Sequence, residues 1–220
     1  MNNRLLCFCI DNVSLYFANF NDMKLVYDMM HKDEAIHELL FHGDSEDISF
    51  DEFLQRDRKW FHGTDSKNSY YLIEYNHEFI GWISHSYNDA KIENMEIDIS
   101  FNSFKHTNKG LGTKIITNFT NHLNEKYNIK TFMIRPGNHN ARAIRAYEKS
   151  GFRIVESYDP NDYYTTKDVV LWGDGDLGPD NTVNMIKVYG WCFISNFNLF
   201  NFKVFWMETT IIPTIFCCEF

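Results

Sequence analysis

Alternation of apolar and polar side chains predicts several extended segments in the first two thirds of the chain. Strands are expected where side chains alternate or where β-branched and aromatic residues cluster. The segments with this pattern are residues 13–18, 70–75, 79–87, 92–101 and 131–134. Asn76 and His77 separate the second segment from the third and predict a hairpin turn. Gly81, inside the third segment, predicts a bulge or a close approach of two backbones.

Helical periodicity falls between these strands. Residues 21–22, Asn-Asp, precede apolar side chains at helical spacing and predict the start of a first helix. Ser49 and Glu52 have the spacing of a capping box, which predicts a second helix. Residues 108–113, with the sequence NKGLGT, run directly into a third helical pattern.

A fourth, compact helix is predicted over residues 141–149, because Asn140 can cap its start and Gly151 follows its last turn. Two more strands are predicted at residues 152–156 and 168–172. The resulting order is β-α-α-β-β-β-α-β-α-β-β. It predicts a mixed α/β (α+β) domain with a mostly antiparallel sheet flanked by helices.

The pattern changes after residue 172. A short helix is predicted over residues 182–188. Residues 190–220 contain one Lys, two Glu and nine Phe or Trp, without a clean helical or strand period. A membrane helix needs about 20 nearly uninterrupted apolar residues, which this segment lacks. We therefore predict one domain over residues 1–189 and a hydrophobic C-terminal extension, non-native or disordered, over residues 190–220.

Charge and cysteine content narrow the classes of partner. The net charge is −9, from 21 basic and 30 acidic residues. This balance argues against nucleic acid as a partner and suits cationic small molecules. The five cysteines include no C-x-x-C pair, so we expect neither a metal site nor a disulfide framework. The N-terminal apolar run is too short for a signal peptide, and a cytoplasmic protein is expected.

The NKGLGT turn predicts an anion-binding site. Gly110 and Gly112 permit positive φ, so backbone N–H groups can point outward at the start of a helix. Taken alone, the motif is equally compatible with a plain turn. It matches neither the nucleotide-binding pattern GxxxxGK[ST] nor the dinucleotide pattern GxGxxG, which weakens both alternatives.

A second motif, NARAIRAYEKSGF at residues 140–152, begins 30 residues after Gly110. Together the two motifs resemble the Gcn5-related N-acetyltransferase (GNAT) superfamily, over roughly residues 13–172. The resemblance implies that Asn140 and its helix border the pantetheine of acetyl-CoA, that Tyr147 lies beside the sulfur, and that no metal is used. It also implies that the glycine-rich turn binds the pyrophosphate through Asn108, Lys109, Gly110, Leu111, Gly112 and Thr113.

Within that superfamily the sequence is most similar to the aminoglycoside 6′-N-acetyltransferases, which confer antibiotic resistance. Their signature includes an Asp eleven residues before the Lys of the glycine-rich turn, and Asp98 stands eleven residues before Lys109. The resemblance implies that Asp98 is the general base. An amine must lose a proton before it attacks a thioester, and a nearby carboxylate can accept that proton. Tyr147 would then protonate the departing thiolate.

Each of these residues also has a simpler interpretation. Asp98 alternates with isoleucines, so it can be an ordinary solvent-facing carboxylate, and Glu96 on the same face is the alternative base. Tyr147 can merely fill the interface between helix and sheet. Trp82 can line an acceptor pocket or pack in the core. Arg142 and Arg145 can bind CoA phosphates or decorate a helix surface.

The acceptor stays open because Arg135-Pro136 stands where the aminoglycoside enzymes commonly have Asp-Pro. An Arg would repel a polycation at short range unless the acidic segment 44–52, including Asp44 and Asp47, supplies an anionic wall. A small cationic amine is the predicted acceptor, with an aminoglycoside 6′-amine first. The alternatives are a protein N-terminal acetyltransferase of the ribosomal-protein type and a catalytically silent acyl-CoA-binding module. A monomer or homodimer is expected.

Overall fold

The structure is a computed structural model that describes residues 4–41, 48–87, 94–175 and 177–190, without the side chains of residues 171 and 172. Six α-helices are found in these ranges: α1 (Met23–His31), α2 (Glu34–Phe41), α3 (Phe50–Asp57), α4 (Leu111–Tyr127), α5 (Ala141–Lys149) and α6 (Thr166–Trp172). The strands in the same ranges are β1 (Leu6–Ile10), β2 (Val13–Phe17), β3 (Ser69–Tyr75), β4 (Glu78–Tyr87), β5 (Asn94–Phe101), β6 (Thr131–Ile134), β7 (Arg153–Ile154) and β8 (Met185–Val188).

All eight of these strands join one sheet in the order β1-β2-β3-β4-β5-β6-β8-β7. The pairs are antiparallel except for β5 and β6, which run parallel. The mixed, mostly antiparallel sheet flanked by helices is therefore confirmed. The predicted β3–β4 hairpin is also confirmed, because Asn76 (φ +50°) and His77 (φ +65°) both adopt the left-handed conformation that a two-residue hairpin turn requires.

Helices cover both faces of the sheet. On one face α4 buries Ile115, Ile116, Phe119 and Leu123 against the strands. On the other face α1 and α3 pack against β3 and β4, where Met23 and Phe53 are fully buried. The predicted capping box of α3 is present, since Ser49 N–H donates to Glu52 Oε2 at 2.7 Å and Glu52 N–H donates to Ser49 Oγ at 3.3 Å.

Two element predictions near the C-terminal end were wrong. Residues 168–172, predicted as a strand, belong to α6, which begins after Thr165 because the Thr165 hydroxyl accepts a hydrogen bond from Asp168 N–H at 3.1 Å. Residues 182–188, predicted as a short helix, include β8, which pairs with β6 on one side and β7 on the other. A local cap thus decided the conformation of α6, whereas pairing with distant strands decided that of β8.

Two elements were missed. In addition, the predicted cap at residues 21–22 differs from the observed one, and most of the predicted C-terminal extension lies outside the described residues. Both β1 and α2 are additional to the predicted order. Asn19 caps a 3₁₀ turn over Phe20–Asp22, and the Asp22 side chain completes that capping box. Asp22 stands at the N-cap position of α1, as predicted, but its side chain makes no capping hydrogen bond to α1. Residues 191–220 of the predicted extension lie outside the described residues. None of the helices in the described ranges has the length and apolar character needed to cross a membrane.

Gly81 lies where β4 and β5 approach closely. A side-chain Cβ at this position would lie 2.2 Å from the carbonyl oxygen of Ser100 and 2.9 Å from the Cα of Phe101. The β3–β4 register also shifts beside Gly81, where Ile73 pairs with Gly81 and Glu74 pairs with Phe79. The prediction of a bulge and a close backbone approach is confirmed.

We predict that Gly81→Ala lowers the free energy of unfolding by about 1–3 kcal/mol, because the methyl group forces two backbones apart. Urea denaturation measures this change. Gly112→Ala is the matched control, since its Cβ would meet only Phe101 Cε2 at an ordinary 3.7 Å. Equal stabilities of the Gly81 variant and the parent would contradict the close approach.

Candidate active site

The candidate site starts from a gap between β5 and β6. These parallel strands pair over only three positions, Asn94 with Thr131, Met95 with Phe132 and Glu96 with Met133. Beyond Glu96, β5 continues to Phe101 without β6 beside it. The strands therefore diverge, and backbone groups on that edge of β5 are turned towards the gap.

The β4–β5 ladder indicates which backbone groups these are. The N–H of Asn102 donates to the carbonyl of Ile80 at 2.8 Å. Because hydrogen-bonded positions alternate along an antiparallel ladder, the amide of Ile99 points away from β4 and towards the gap. An amide in this position is suited to stabilising negative charge that develops on a carbonyl oxygen.

The glycine-rich turn lies at the start of α4. Gly110 has φ +76°, which only glycine adopts without strain, and it directly precedes the first helical residue. The first hydrogen bond of the helix runs from Lys114 N–H to the Gly110 carbonyl at 3.0 Å. The amides of Leu111, Gly112 and Thr113 come before it, so this helix start provides a set of N–H donors for an anion.

The two predicted glycines differ in what they contribute. A Cβ on Gly110 would have no atom within 4 Å, so the position opens outward. Gly112 lies within α4 and does not adopt a positive φ. Gly112 contributes to the anion site by having no side chain at the start of α4, rather than by a special backbone conformation.

Side-chain contacts hold α5 beside this turn. The amide oxygen of Asn140 accepts from Ala143 N–H at 3.1 Å and caps α5, as predicted. The hydroxyl of Thr113 donates to the carbonyl of Ala146 at 3.3 Å. The contact of Thr113 with Ala146 thus joins the two motifs, which are distant in the chain, and both of them line one cleft.

The cleft has a volume of about 530 Å³ and is lined by both polar and apolar residues. The polar residues and glycines of the lining include Asn108, Gly110, Gly112, Thr113, Lys114, Asn140, Arg142, Arg145 and Lys149. The apolar and aromatic residues include Ile36, Leu39, Leu40, Ile99, Phe101 and Tyr147. All the charged side chains among the described lining residues are cations, which contrasts with the acidic composition of the chain.

The predicted cofactor residues divide into those that line the cleft and those that do not. Arg142, which contacts Thr107 Oγ1 at 3.4 Å and lies over the Phe104 ring at 4.3 Å, lines it together with Arg145. Leu111 is buried in the core below the turn, and the side chain of Lys109 is exposed. Leu111 can therefore contribute only its backbone N–H to the set of donors at the start of α4.

The α2 residues that line the cleft were not predicted. Ile36, Leu39 and Leu40 lie on one side of the cleft because they are three and four residues apart on a helix. That spacing was the available signal for both the helix and its cleft-facing side.

Tyr147 lines the cleft and is almost fully buried, with a relative exposure of 8%. Burial, and secondly the negative charge of Asp98, raise the pKa of its phenol well above the ordinary value. The phenol therefore stays protonated at neutral pH and can donate a hydrogen bond. The influence of Asp98 on this pKa places the two predicted catalytic side chains within electrostatic reach of each other.

Asp98 is a half-buried residue of β5 that pairs with Ser84 across the β4–β5 ladder. Its neighbours Ile97 and Ile99 pack towards α4, so the carboxylate lies on the opposite face of the sheet. Asp98 also comes just after the last residue pair of β5 and β6. The carboxylate thus lies at the opening of the gap, while Tyr147 lies in the cleft on the α4 side.

Glu96, the alternative base, has both oxygens in use. Its Oε1 accepts from Arg135 Nε at 2.6 Å, and its Oε2 accepts from Arg135 Nη2 at 3.1 Å and from the Tyr164 hydroxyl at 2.8 Å. The positive charge of Arg135 is therefore balanced by the Glu96 carboxylate. Tyr164 was not predicted, although Tyr158, Tyr163 and Tyr164 form a recognisable cluster of tyrosines in the sequence.

The other predicted substrate contacts are less informative. Trp82 is 6% exposed and packs in the core with Tyr70, with ring centroids 5.4 Å apart, which is the simpler of its two interpretations. Asp44 and Asp47 lie outside the described residues. Among the described residues, no group of three or more His, Cys, Asp or Glu side chains could hold a metal ion.

Solved structures similar to this chain include several acetyltransferases. AAC(6′)-Ib, solved with ribostamycin and coenzyme A, has a TM-score of 0.61 at 19% identity, over 81% of this chain and 94% of that one. A spermidine N-acetyltransferase from Vibrio cholerae, solved with CoA and spermine, has a TM-score of 0.59 at 17% identity, over 80% and 95%. The ribosomal-protein-S5-alanine acetyltransferase of Vibrio fischeri has a TM-score of 0.58 at 11% identity, over 82% and 95%.

At these identities the solved structures establish the fold and leave the acceptor open. A family model adds evidence from the sequence itself. The model described as an acetyltransferase (GNAT) domain matches residues 15–153, which is more than half of the chain and contains both motifs of the cleft. The chain therefore belongs to the GNAT family of acetyltransferases.

Proposed function

We propose that this acetyltransferase transfers the acetyl group of acetyl-CoA to a primary amine on a small cationic molecule, by direct attack in a ternary complex. The observation that carries the proposal is the gap between β5 and β6. Its two sides present Asp98 at the opening and Tyr147 in the cleft, and the amide of Ile99 points into it. This arrangement supplies the groups that aminolysis of a thioester requires.

We infer that acetyl-CoA binds in the cleft, with its pyrophosphate on the amides at the start of α4, where the helix dipole favours an anion. Arg142, Arg145 and Lys149 line the cleft and can offset the charge of the phosphates, whereas the Lys114 ammonium is paired with Asp11. The apolar wall beside Ile99 and Tyr147 then receives the pantetheine arm and the acetyl group.

The proposed mechanism begins with proton removal. An amine at neutral pH is mostly an ammonium ion, which Asp98 attracts and can deprotonate directly or through water. The neutral amine attacks the thioester carbon, and the amide of Ile99 stabilises the oxyanion. As the carbon–sulfur bond breaks, the Tyr147 phenol gives its proton to the thiolate. The attacking nitrogen loses its second proton to water, and the Tyr147 phenolate regains a proton from water. The acceptor leaves as an acetamide, and CoA leaves as a thiol.

An aminoglycoside 6′-amine is the leading acceptor, and with it a role in antibiotic resistance in the cytoplasm. The support is the closeness of the fold to AAC(6′)-Ib bound to ribostamycin. Because Arg135 is paired with Glu96, its charge repels a polycationic acceptor less strongly than the sequence alone suggested. Neither Asp98 nor Tyr147 has been lost, which favours an enzyme over a silent acyl-CoA-binding module.

A protein N-terminal amine is the second candidate. The similarity to a ribosomal-protein-S5-alanine acetyltransferase supports it. A polycation needs several carboxylates, whereas a single α-amine needs only one.

The first prediction from the proposed function concerns the N–H donors at the start of α4. Gly110→Val should weaken acetyl-CoA binding by at least about tenfold, because a β-branched residue resists positive φ and displaces the N–H donors. Isothermal titration calorimetry measures the affinity. Gly178→Val is a matched control, since Gly178 also has positive φ (+73°) and open space but lies outside the cleft lining. Equal affinity of the Gly110 variant and the parent would exclude binding of acetyl-CoA by these N–H donors.

The second prediction concerns the base. Asp98→Asn keeps the shape of the side chain and removes the proton acceptor, so kcat should fall by about 10²–10⁴ while acetyl-CoA affinity is unchanged. Part of the loss should be recovered at high pH, where the amine loses its proton unaided. Steady-state kinetics across pH, with calorimetry as the folding control, measures both effects. An Asp98→Asn enzyme with parental kcat would reject this base.

The third prediction concerns the acceptor. A panel of kanamycin, ribostamycin, spermidine and peptides with a free N-terminal amine is assayed by thiol release from acetyl-CoA. We expect the aminoglycosides to have the highest kcat/KM. Turnover of the peptides alone would favour the second candidate. Turnover of none, with intact acetyl-CoA binding, would support the silent module.

A further inference from the structure

Glu96 lies where three parts of the chain meet. It belongs to β5, Arg135 follows the end of β6, and Tyr164 lies in the segment between β7 and β8. The Arg135 guanidinium binds both Glu96 oxygens side by side, at 2.6 and 3.1 Å, and the Tyr164 hydroxyl donates to Glu96 at 2.8 Å. We call Glu96, Arg135 and Tyr164 the Glu96 clamp.

The Glu96 clamp is shielded from water. The side chains of Arg135 and Glu96 are 6% and 16% exposed, and the guanidinium carbon lies 5.3 Å from the centre of the Tyr164 ring. Tyr164 N–H also donates to the Pro160 carbonyl at 2.9 Å, so the backbone of Tyr164 is held against the turn before α6. Charge-assisted hydrogen bonds with little access to water are strong and directional.

The position of the Glu96 clamp relates it to the acceptor side of the gap. Glu96 and Asp98 are two residues apart on one strand, so their carboxylates lie on the same face of the sheet. None of the three clamp residues is among the residues that line the acetyl-CoA cleft. The described segment from Val155 to Tyr164 is therefore tied to the face from which an amine would approach Asp98.

We propose that the Glu96 clamp is a positioning device that holds residues 155–170 as one wall of the acceptor site and so determines which amines reach Asp98. This inference rests on the proposed function. Arg135 and Tyr164 act through Glu96 and do not take part in bond making. Arg135→Asp would bring a second carboxylate against Glu96 rather than simply add an anion for the substrate.

The first test measures amide hydrogen exchange, which needs no turnover. Arg135→Met and Tyr164→Phe should each increase exchange in peptides from residues 155–170, while peptides from α4 and α5 exchange as in the parent. Arg153→Met and Tyr163→Phe are the matched controls. Arg153 is an exposed cation on β7, and the Tyr163 ring stacks on Tyr158 at 5.5 Å, a contact that Phe retains. Parental exchange in both clamp variants would overturn the proposal.

The second test separates acceptor binding from acetyl-CoA binding. Tyr164→Phe should raise the acceptor KM by about tenfold, as expected for one hydrogen bond to a buried carboxylate, with the acetyl-CoA KM unchanged. Arg135→Met should raise it further, and Arg135→Lys should recover part of the loss because it restores the charge without the paired contacts. A purely structural clamp would lower the melting temperature and leave both KM values at the parental level, which would also overturn the proposal.

These outcomes are distinguishable from failure of the proposed function. A parent enzyme that acetylates no amine in the panel would reject the acceptor chemistry, and hydrogen exchange alone would then decide whether the clamp holds the segment. An active parent whose clamp variants keep the parental acceptor KM would reject the clamp and leave the acetyltransferase mechanism in place.

Discussion

The separation of β5 from β6 after Glu96 is the constraint on which the candidate site depends. Sheet strands normally satisfy each other's backbone groups, and here β5 loses its parallel partner after three residue pairs. The sheet thereby provides an amide at Ile99, a carboxylate at Asp98 and room for Tyr147 in one place. A single irregularity in the sheet thus provides both the space and the donors on which the proposed mechanism relies.

Charge is distributed so that one acidic protein can bind an anionic cofactor. The described lining of the cleft carries Lys114, Arg142, Arg145 and Lys149, although the whole chain has a net charge of −9. The amides at the start of α4 add a fixed positive potential. Across the sheet, Asp98 and Glu96 face the other way, and Glu96 is neutralised by Arg135. The net charge of the chain therefore says little about the charge at its cleft.

Local signals allowed much of this arrangement to be predicted from the sequence. The Asn76–His77 turn and the Ser49–Glu52 capping box depend on neighbouring residues, and both were predicted. Val169 and Val170 suggested a strand, but the Thr165 cap and the surrounding chain produce α6. The contact of Glu96 with Arg135 and Tyr164 could not be predicted, because it depends on the register of β5 with β6 and on the course of a distant segment.

The position of β8 has a consequence for the synthesis of the chain. β8 (Met185–Val188) is the last described strand in the sequence, yet it lies between β6 and β7 in the sheet. Until these residues leave the ribosome, β6 has an open edge and β7 has no neighbour to pair with. The sheet can therefore be completed only after Val188 has been synthesised. A nascent chain that stalls after both motifs have formed would still present an unprotected strand to other proteins.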